Sequence, residues 1–178
     1  LSASLGTSHM PVREALRKLT GENVLVQCRN GSVMVPEIEA RVLEDLCRSR
    51  LLLEGRAVQL ATVHVRGADI RHLRNLAQAH SQVSHGEGIY ISLQRNQEFH
   101  FAVYRMAKSP ILVELIEILW LRLGPYMRVL SQHLAPLVGT GNFRNGAQYH
   151  QDLINCLSER DGSGARFAIE SDIRATYG

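Results

Sequence analysis

His9, Arg13 and Arg17 recur at steps of four within Ser8–Thr20, so in a helix they stand in one row. Arginine forks onto guanine or bridges to phosphates, and a short helix carrying such a row suits insertion into a DNA major groove. The same row on an ordinary surface helix would be a solvated charged face. Arg50 and Glu54 also sit four apart. The guanidinium of Arg50 can take an effector carboxylate in a bidentate grip, or close an i,i+4 salt bridge on Glu54. Asn96 and His100 share another helical face at the same spacing.

The elements that must position these groups follow from apolar spacing. Val12, Ala15, Leu16 and Leu19 make one apolar face beneath the arginine row. Ser8 is placed to cap this helix, and Pro11 is tolerated in its first turn. Glu14 and Lys18 form an i,i+4 pair of opposite charge. Upstream, Leu1 and Leu5 fall on one helical side and Gly6 ends that short element, giving the parts of a helix-turn-helix. Downstream, Val24–Val26 and Val33–Val35 flank Arg29-Asn30-Gly31-Ser32. Asn-Gly between apolar runs is a strong hairpin signal.

This unit resembles the GntR family of bacterial transcription regulators. The resemblance rests on Leu5-Gly6-Thr7-Ser8, on Pro11-Val12-Arg13-Glu14-Ala15-Leu16-Arg17 with Leu19, and on Gly31. It implies a winged helix-turn-helix over residues 1–36, truncated at its first helix because the family has a further helix ahead of this point. It also implies that Ser8 and its backbone grip phosphate, that Arg13 and Arg17 reach bases or phosphates, and that the wing at Gly31 approaches the minor groove. The family commonly carries Arg where this chain has His9; a largely neutral imidazole there removes a charge from the groove-facing row.

The bulk numbers constrain the rest. The chain has 178 residues, 45% of them hydrophobic, enough for a small domain plus a larger one. Its net charge of +3 is no uniform coat for nucleic acid. Residues 1–36 carry four basic against two acidic side chains, which places DNA affinity on a local face. Cys28, Cys47 and Cys156 are odd in number and widely spaced, which suits free thiols in a reducing cytoplasm. The most apolar run, Ile111–Leu123, is interrupted by Glu114, Glu117 and Arg122, and no segment reads as a signal peptide or membrane span.

Residues 37–40 read as a linker and 41–178 as an all-helical antiparallel bundle of about six helices. The helices fall at about 40–65, 69–83, 89–107, 110–133, 145–159 and 164–177, with loops at 84–88 and 135–144. The face of the first comprises Leu46, Leu53, Ala57, Leu60 and Ala61. This domain resembles the FCD-type effector-binding domain of the FadR subfamily. The echoes are Arg50-Leu51-Leu52-Leu53-Glu54, Phe99-His100, Ser109-Pro110-Ile111-Leu112, and His150 followed by Leu157 and Asp161.

The resemblance implies a divalent metal held by Asn96, His100, His150 and Asp172. Two of these depart from the subfamily, which has Asp at the first position and His at the last. Two imidazoles, a carboxylate and an amide oxygen still suit Zn, Ni or Mn. The shorter Asp172 side chain puts its reach to the ion in question. The competing reading is a polar pocket in which His100 and His150 hydrogen-bond the effector directly, with Tyr149, Trp120 and Tyr126 as lining or core. The family implies a homodimer on a pseudo-palindromic DNA operator, in the cytoplasm with the nucleoid, whose helical domain senses a small organic acid or related metabolite; for a carboxylic acid effector, Arg50 is the candidate contact. The alternative is a metal-dependent enzyme on the bundle, but no further nucleophile or general-base motif accompanies the two histidines and the carboxylate.

Overall fold

The computed structural model describes residues 1–37, 39–83, 89–134 and 146–177. Ile38 in the expected linker and the expected loops 84–88 and 135–144 therefore lie outside the described residues.

Residues 2–6 wind through turns rather than a helix, with Leu5 N–H bonded to the Leu1 carbonyl at 3.0 Å. Gly6 closes this segment at φ +61°, a left-handed conformation that glycine adopts without steric cost. Helix α1 spans His9–Gly21. Ser8 stands at its N-cap with extended backbone, but its side chain makes no capping bond, contrary to the sequence expectation. The expected Glu14–Lys18 pair is also replaced: Lys18 Nζ faces Glu22 Oε1 at 3.9 Å, one turn further on.

After α1 the backbone doubles back, Val24 N–H bonding to the Leu19 carbonyl at 2.9 Å and Val24 becoming buried. Strands β1 (Val26–Gln27) and β2 (Val33–Met34) pair antiparallel, Val26 opposite Met34 and Gln27 opposite Val33. The strands are shorter than the apolar runs suggest, and Val24, buried and bonded back to α1 through its amide, stays outside β1. Gly31 takes φ +81°, and Asn30 Oδ1 accepts from the Ser32 amide at 3.0 Å. Asn30 is not itself left-handed, so the tip is a turn over 28–31 that ends on the left-handed Gly31.

Among the described residues six further helices follow: α2 (Ala40–His64), α3 (Gly67–Ser81), α4 (Ile89–Arg105), α5 (Pro110–Leu134), α6 (Gly146–Ser158) and α7 (Gly162–Tyr177). Their order and number match the sequence expectation. α4 stops two residues early because the Met106 and Ala107 amides bond three residues back and Lys108 turns left-handed, before Pro110 opens α5. Asp161 caps α7, its Oδ1 accepting from the amides of Ser163 and Gly164 at 3.0 and 2.9 Å. A Cβ on Gly164 would collide with that carboxylate. Arg160 donates to the carbonyls of Thr62, Val63 and Val65 at 2.9–3.2 Å, satisfying the C-terminal end of α2.

α2 packs most extensively on α7 and also touches α4, α5 and α6. Ala57, Val58 and Ala61 of α2, Phe99 and Val103 of α4, Leu153, Ile154 and Leu157 of α6 and Ile169 of α7 fill the common core. Neither α1 nor the hairpin packs extensively on these helices. The buried face of α2 differs from the expected one in a way that matters below. Leu53 and Leu60 are only partly buried, while Arg50 and Glu54 lie inside at 4% and 0% exposure.

Candidate metal centre

Asn96, His100 and Tyr104 occupy three successive turns of α4 and so point the same way. α6 brings His150 and α7 brings Asp172 to meet them. His100 Nε2 lies 3.1 Å from Asp172 Oδ2 and 3.3 Å from His150 Nε2, and His150 Nε2 lies 3.1 Å from Asn96 Oδ1. The ligand atoms of His100, His150 and Asp172 all fall within 4.8 Å of one another. Both imidazoles are buried, while Asp172 retains partial access to solvent. The structure thus brings together all four residues named from the sequence, and Asp172 reaches the cluster despite its shorter side chain.

Protonation at this cluster follows from its partners. Glu54 is fully buried and accepts from Arg50 Nε at 2.6 Å, Arg50 Nη2 at 3.3 Å, Trp120 Nε1 at 3.1 Å and the Tyr104 hydroxyl. Burial and the Glu54 carboxylate push the Tyr104 hydroxyl well above its usual pKa, so it keeps its proton. Tyr104 Oη also lies 3.2 Å from His100 Nδ1. Burial, together with His100 and His80, drives the pKa of His150 far below the ordinary imidazole value, which holds it in the neutral form a metal requires. Around one point the chain therefore presents two imidazole nitrogens, a carboxylate oxygen and an amide oxygen. An unprotonated His100 Nε2 and Asp172 Oδ2 are both acceptors, and at 3.1 Å they demand a proton or a cation between them. The donor set fits a divalent ion. One second partner is missing from the usual pattern: among the described residues, His150 Nδ1 is buried without a hydrogen bond.

Arg50 lies on Glu54 rather than open to a cavity, its Cζ 4.9 Å from the Trp120 ring centroid, so of its two alternatives the structure forms the salt bridge. Three residues that the sequence reading did not single out for this site complete it. Tyr104 continues the i,i+4 row of Asn96 and His100, a signal legible in the sequence. Glu54 is the hub of the buried polar network. His80 of α3 faces His150 with ring centroids 5.0 Å apart, and its pKa is lowered first by burial and then by His100. Nothing in its spacing marks it.

Of the DNA-contact candidates, Ser8, His9, Arg13, Arg17 and Gly31 are all exposed. His9 Nδ1 lies 3.0 Å from Ser2 Oγ. Arg13 and Arg17 make no ion pair among the described residues, which leaves both cations free for an anionic partner. Val12, Leu16 and Leu19 are half-buried on the other side of α1, and Ala15 is exposed.

Residues 45–175 match the FCD domain family. The chain is 31% identical over 169 residues to the HTH-type transcriptional regulator McbR of Escherichia coli, covering 95% of this chain and 75% of McbR. This chain belongs to the GntR-family regulators with an FCD domain. The solved structure of E. coli McbR/YncC superposes with a TM-score of 0.83 at 30% identity, over 97% of this chain and 80% of that one. A probable D-xylose utilization operon transcriptional repressor from Paenarthrobacter nicotinovorans is 25% identical over 98% of this chain and 74% of its own length. Streptococcus agalactiae GntR, at 19% identity, shares the fold, with a TM-score of 0.60 over 99% of this chain and 84% of its own. These relatives are regulators rather than enzymes, and this FCD-domain protein is a transcription regulator. No helix among the described residues is long and apolar enough to cross a membrane.

Proposed function

We propose that this chain is a FadR-type regulator that reads a DNA operator through residues 1–36 and senses a small carboxylic acid through residues 41–178, with 37–40 as the linker between them. It acts as a homodimer in the cytoplasm, with the nucleoid. The observation that carries the sensing half is the convergence of His100, His150, Asp172 and Asn96 inside the bundle. A Zn, Ni or Mn ion held by these four supplies Lewis acidity and open positions for an effector carboxylate. The free cations of Arg13 and Arg17 on an exposed helix ahead of a hairpin support the reading half, in a winged helix-turn-helix arrangement. Ser8 and His9 flank that row and Gly31 forms the tip of the wing.

Two measurements test the two halves separately. Purified protein, dialysed after mild chelation and reloaded, is expected to hold close to one divalent ion per chain. A His100→Ala/His150→Ala double variant that retains as much metal as the unaltered chain refutes the ligand set. In gel shifts on DNA flanking its own gene, Arg13→Ala is expected to abolish the specific complex. An unchanged shift removes Arg13 from the interface.

A further inference from the structure

The most apolar run of the sequence, Ile111–Leu123, is only half used by the bundle. α5 buries Ile116, Leu123 and Tyr126 on its inner side, and it packs extensively on two elements, α2 and α4. Ile111, Leu115 and Ile118, spaced i, i+4 and i+7, form a second apolar row on the outside, with Leu121 beside it; the four are 72, 45, 42 and 39% exposed. A helix that is apolar all round is normally a buried one. Charged groups rim this row. Glu114 and Glu117 are exposed, Arg122 is half-buried, and none of the three has an ion pair among the described residues. A contiguous apolar face with a polar rim marks an interaction surface.

The order of side chains along α5 matches its own reverse. Ile118 has Leu115 and Leu121 three residues to either side, Glu114 and Arg122 four, and Ile111 and Pro125 seven. Turning a second α5 end for end about Ile118 therefore sets apolar groups on apolar groups, and brings each Glu114 level with an Arg122. That is the self-complementarity a two-fold axis demands. A parallel pairing would instead set Glu114 against Glu114 and Glu117 against Glu117. An anionic membrane surface meets the same objection from the two carboxylates. We propose that a second copy of this chain covers this face, α5 lying antiparallel to its symmetry mate with the two-fold axis at Ile118 and two Glu114–Arg122 pairs closing the rim. The inference rests on the homodimer of the reading above and names the face that makes it.

Sedimentation velocity on the full chain over a series of micromolar concentrations reads the association directly. The unaltered chain is expected to sediment as a dimer. Ile118→Glu sets two carboxylates face to face on the axis, and is expected to raise the dissociation constant by about 100-fold or more, because a two-fold axis counts each change twice. Glu114→Arg alone, like Arg122→Glu alone, brings like charges level and is expected to weaken the dimer by about 10-fold. The Glu114→Arg/Arg122→Glu exchange is expected to restore it, a recovery that general damage to the fold does not produce. Helical circular dichroism and urea unfolding of each variant serve as the control for folding. A dimer unmoved by Ile118→Glu overturns the proposal and leaves the homodimer standing on another face. An exchange variant no tighter than the two single variants overturns the antiparallel register. An unaltered chain that stays monomeric at every concentration refutes the homodimer itself, and with it a second copy as the occupant of this face.

Discussion

Replacing Glu54 by Gln keeps the volume and removes the charge, and it strikes the most densely bonded side chain of the interior. Glu54 is fully buried, and every group around it is a donor: Arg50 through two nitrogens, Trp120 and Tyr104. The substitution leaves the Arg50 guanidinium, itself 4% exposed, as a buried charge without a counter-ion. It also brings an amide NH2 among Arg50 and Trp120, which can only donate, and leaves the Tyr104 hydroxyl as the one neighbour able to accept from it. Breaking a buried pair from one side costs about 3–5 kcal/mol. For a chain of this length, each kcal/mol moves the melting temperature by about 2–4 °C, so a drop of about 6–20 °C is expected. Urea unfolding followed by helical circular dichroism gives the free energy. The companion Arg50→Met variant and the Arg50→Met/Glu54→Gln double variant complete a cycle. The double variant is expected to lose clearly less than the sum of the two singles, because the stranded charge is gone. A loss below about 1 kcal/mol for Glu54→Gln at an unchanged denaturant slope would show that Arg50 finds solvent or another partner, and would refute the account of the network.

Acid should weaken the metal-free fold through its buried imidazoles. His80 and His150 have folded pKa values below the ordinary 6.5, so the unfolded chain binds more protons there. Their contribution is complete above about pH 6.5 and declines as pH falls below it, by up to about 1.4 kcal/mol per pH unit for each histidine. Urea midpoints between pH 7 and pH 5 should fall, and His150→Asn should flatten the slope; a pH-independent midpoint refutes this assignment. Zinc added to apo-protein at a hundred times its dissociation constant should stabilise by about 2.7 kcal/mol, raising the melting temperature by about 5–11 °C. The shift should vanish in His100→Ala, and persistence there points to binding elsewhere.

The helices were legible because their apolar spacing is long and regular. Of the face expected on the 25-residue α2, Leu46, Ala57 and Ala61 are buried, while Leu53 and Leu60 are only partly so. The metal candidates were legible only through a resemblance, since His100 and His150 lie 50 residues apart and no local spacing joins them. What escaped the sequence was polar and buried. Arg50 and Glu54 read equally well as a surface pair, and only the packing of α4 and α5 against α2 shows that their charges face inward. His80 became visible only when α3 met α6. Ser8 illustrates the opposite error: its type and place are right for a cap, yet cap position alone did not make the bond.

The union of α2 with α7 also sets a schedule for synthesis. α7 begins about 100 residues after α2 has ended, and a ribosome adding 5–20 residues per second needs roughly 5–20 s to deliver it. During that interval α2 carries Ala57, Val58 and Ala61 without the covering of α7, although Tyr104 and Trp120, the partners of Glu54, are made earlier on α4 and α5. A nascent chain stalled between α6 and α7 should therefore be a far better chaperone client than one released complete.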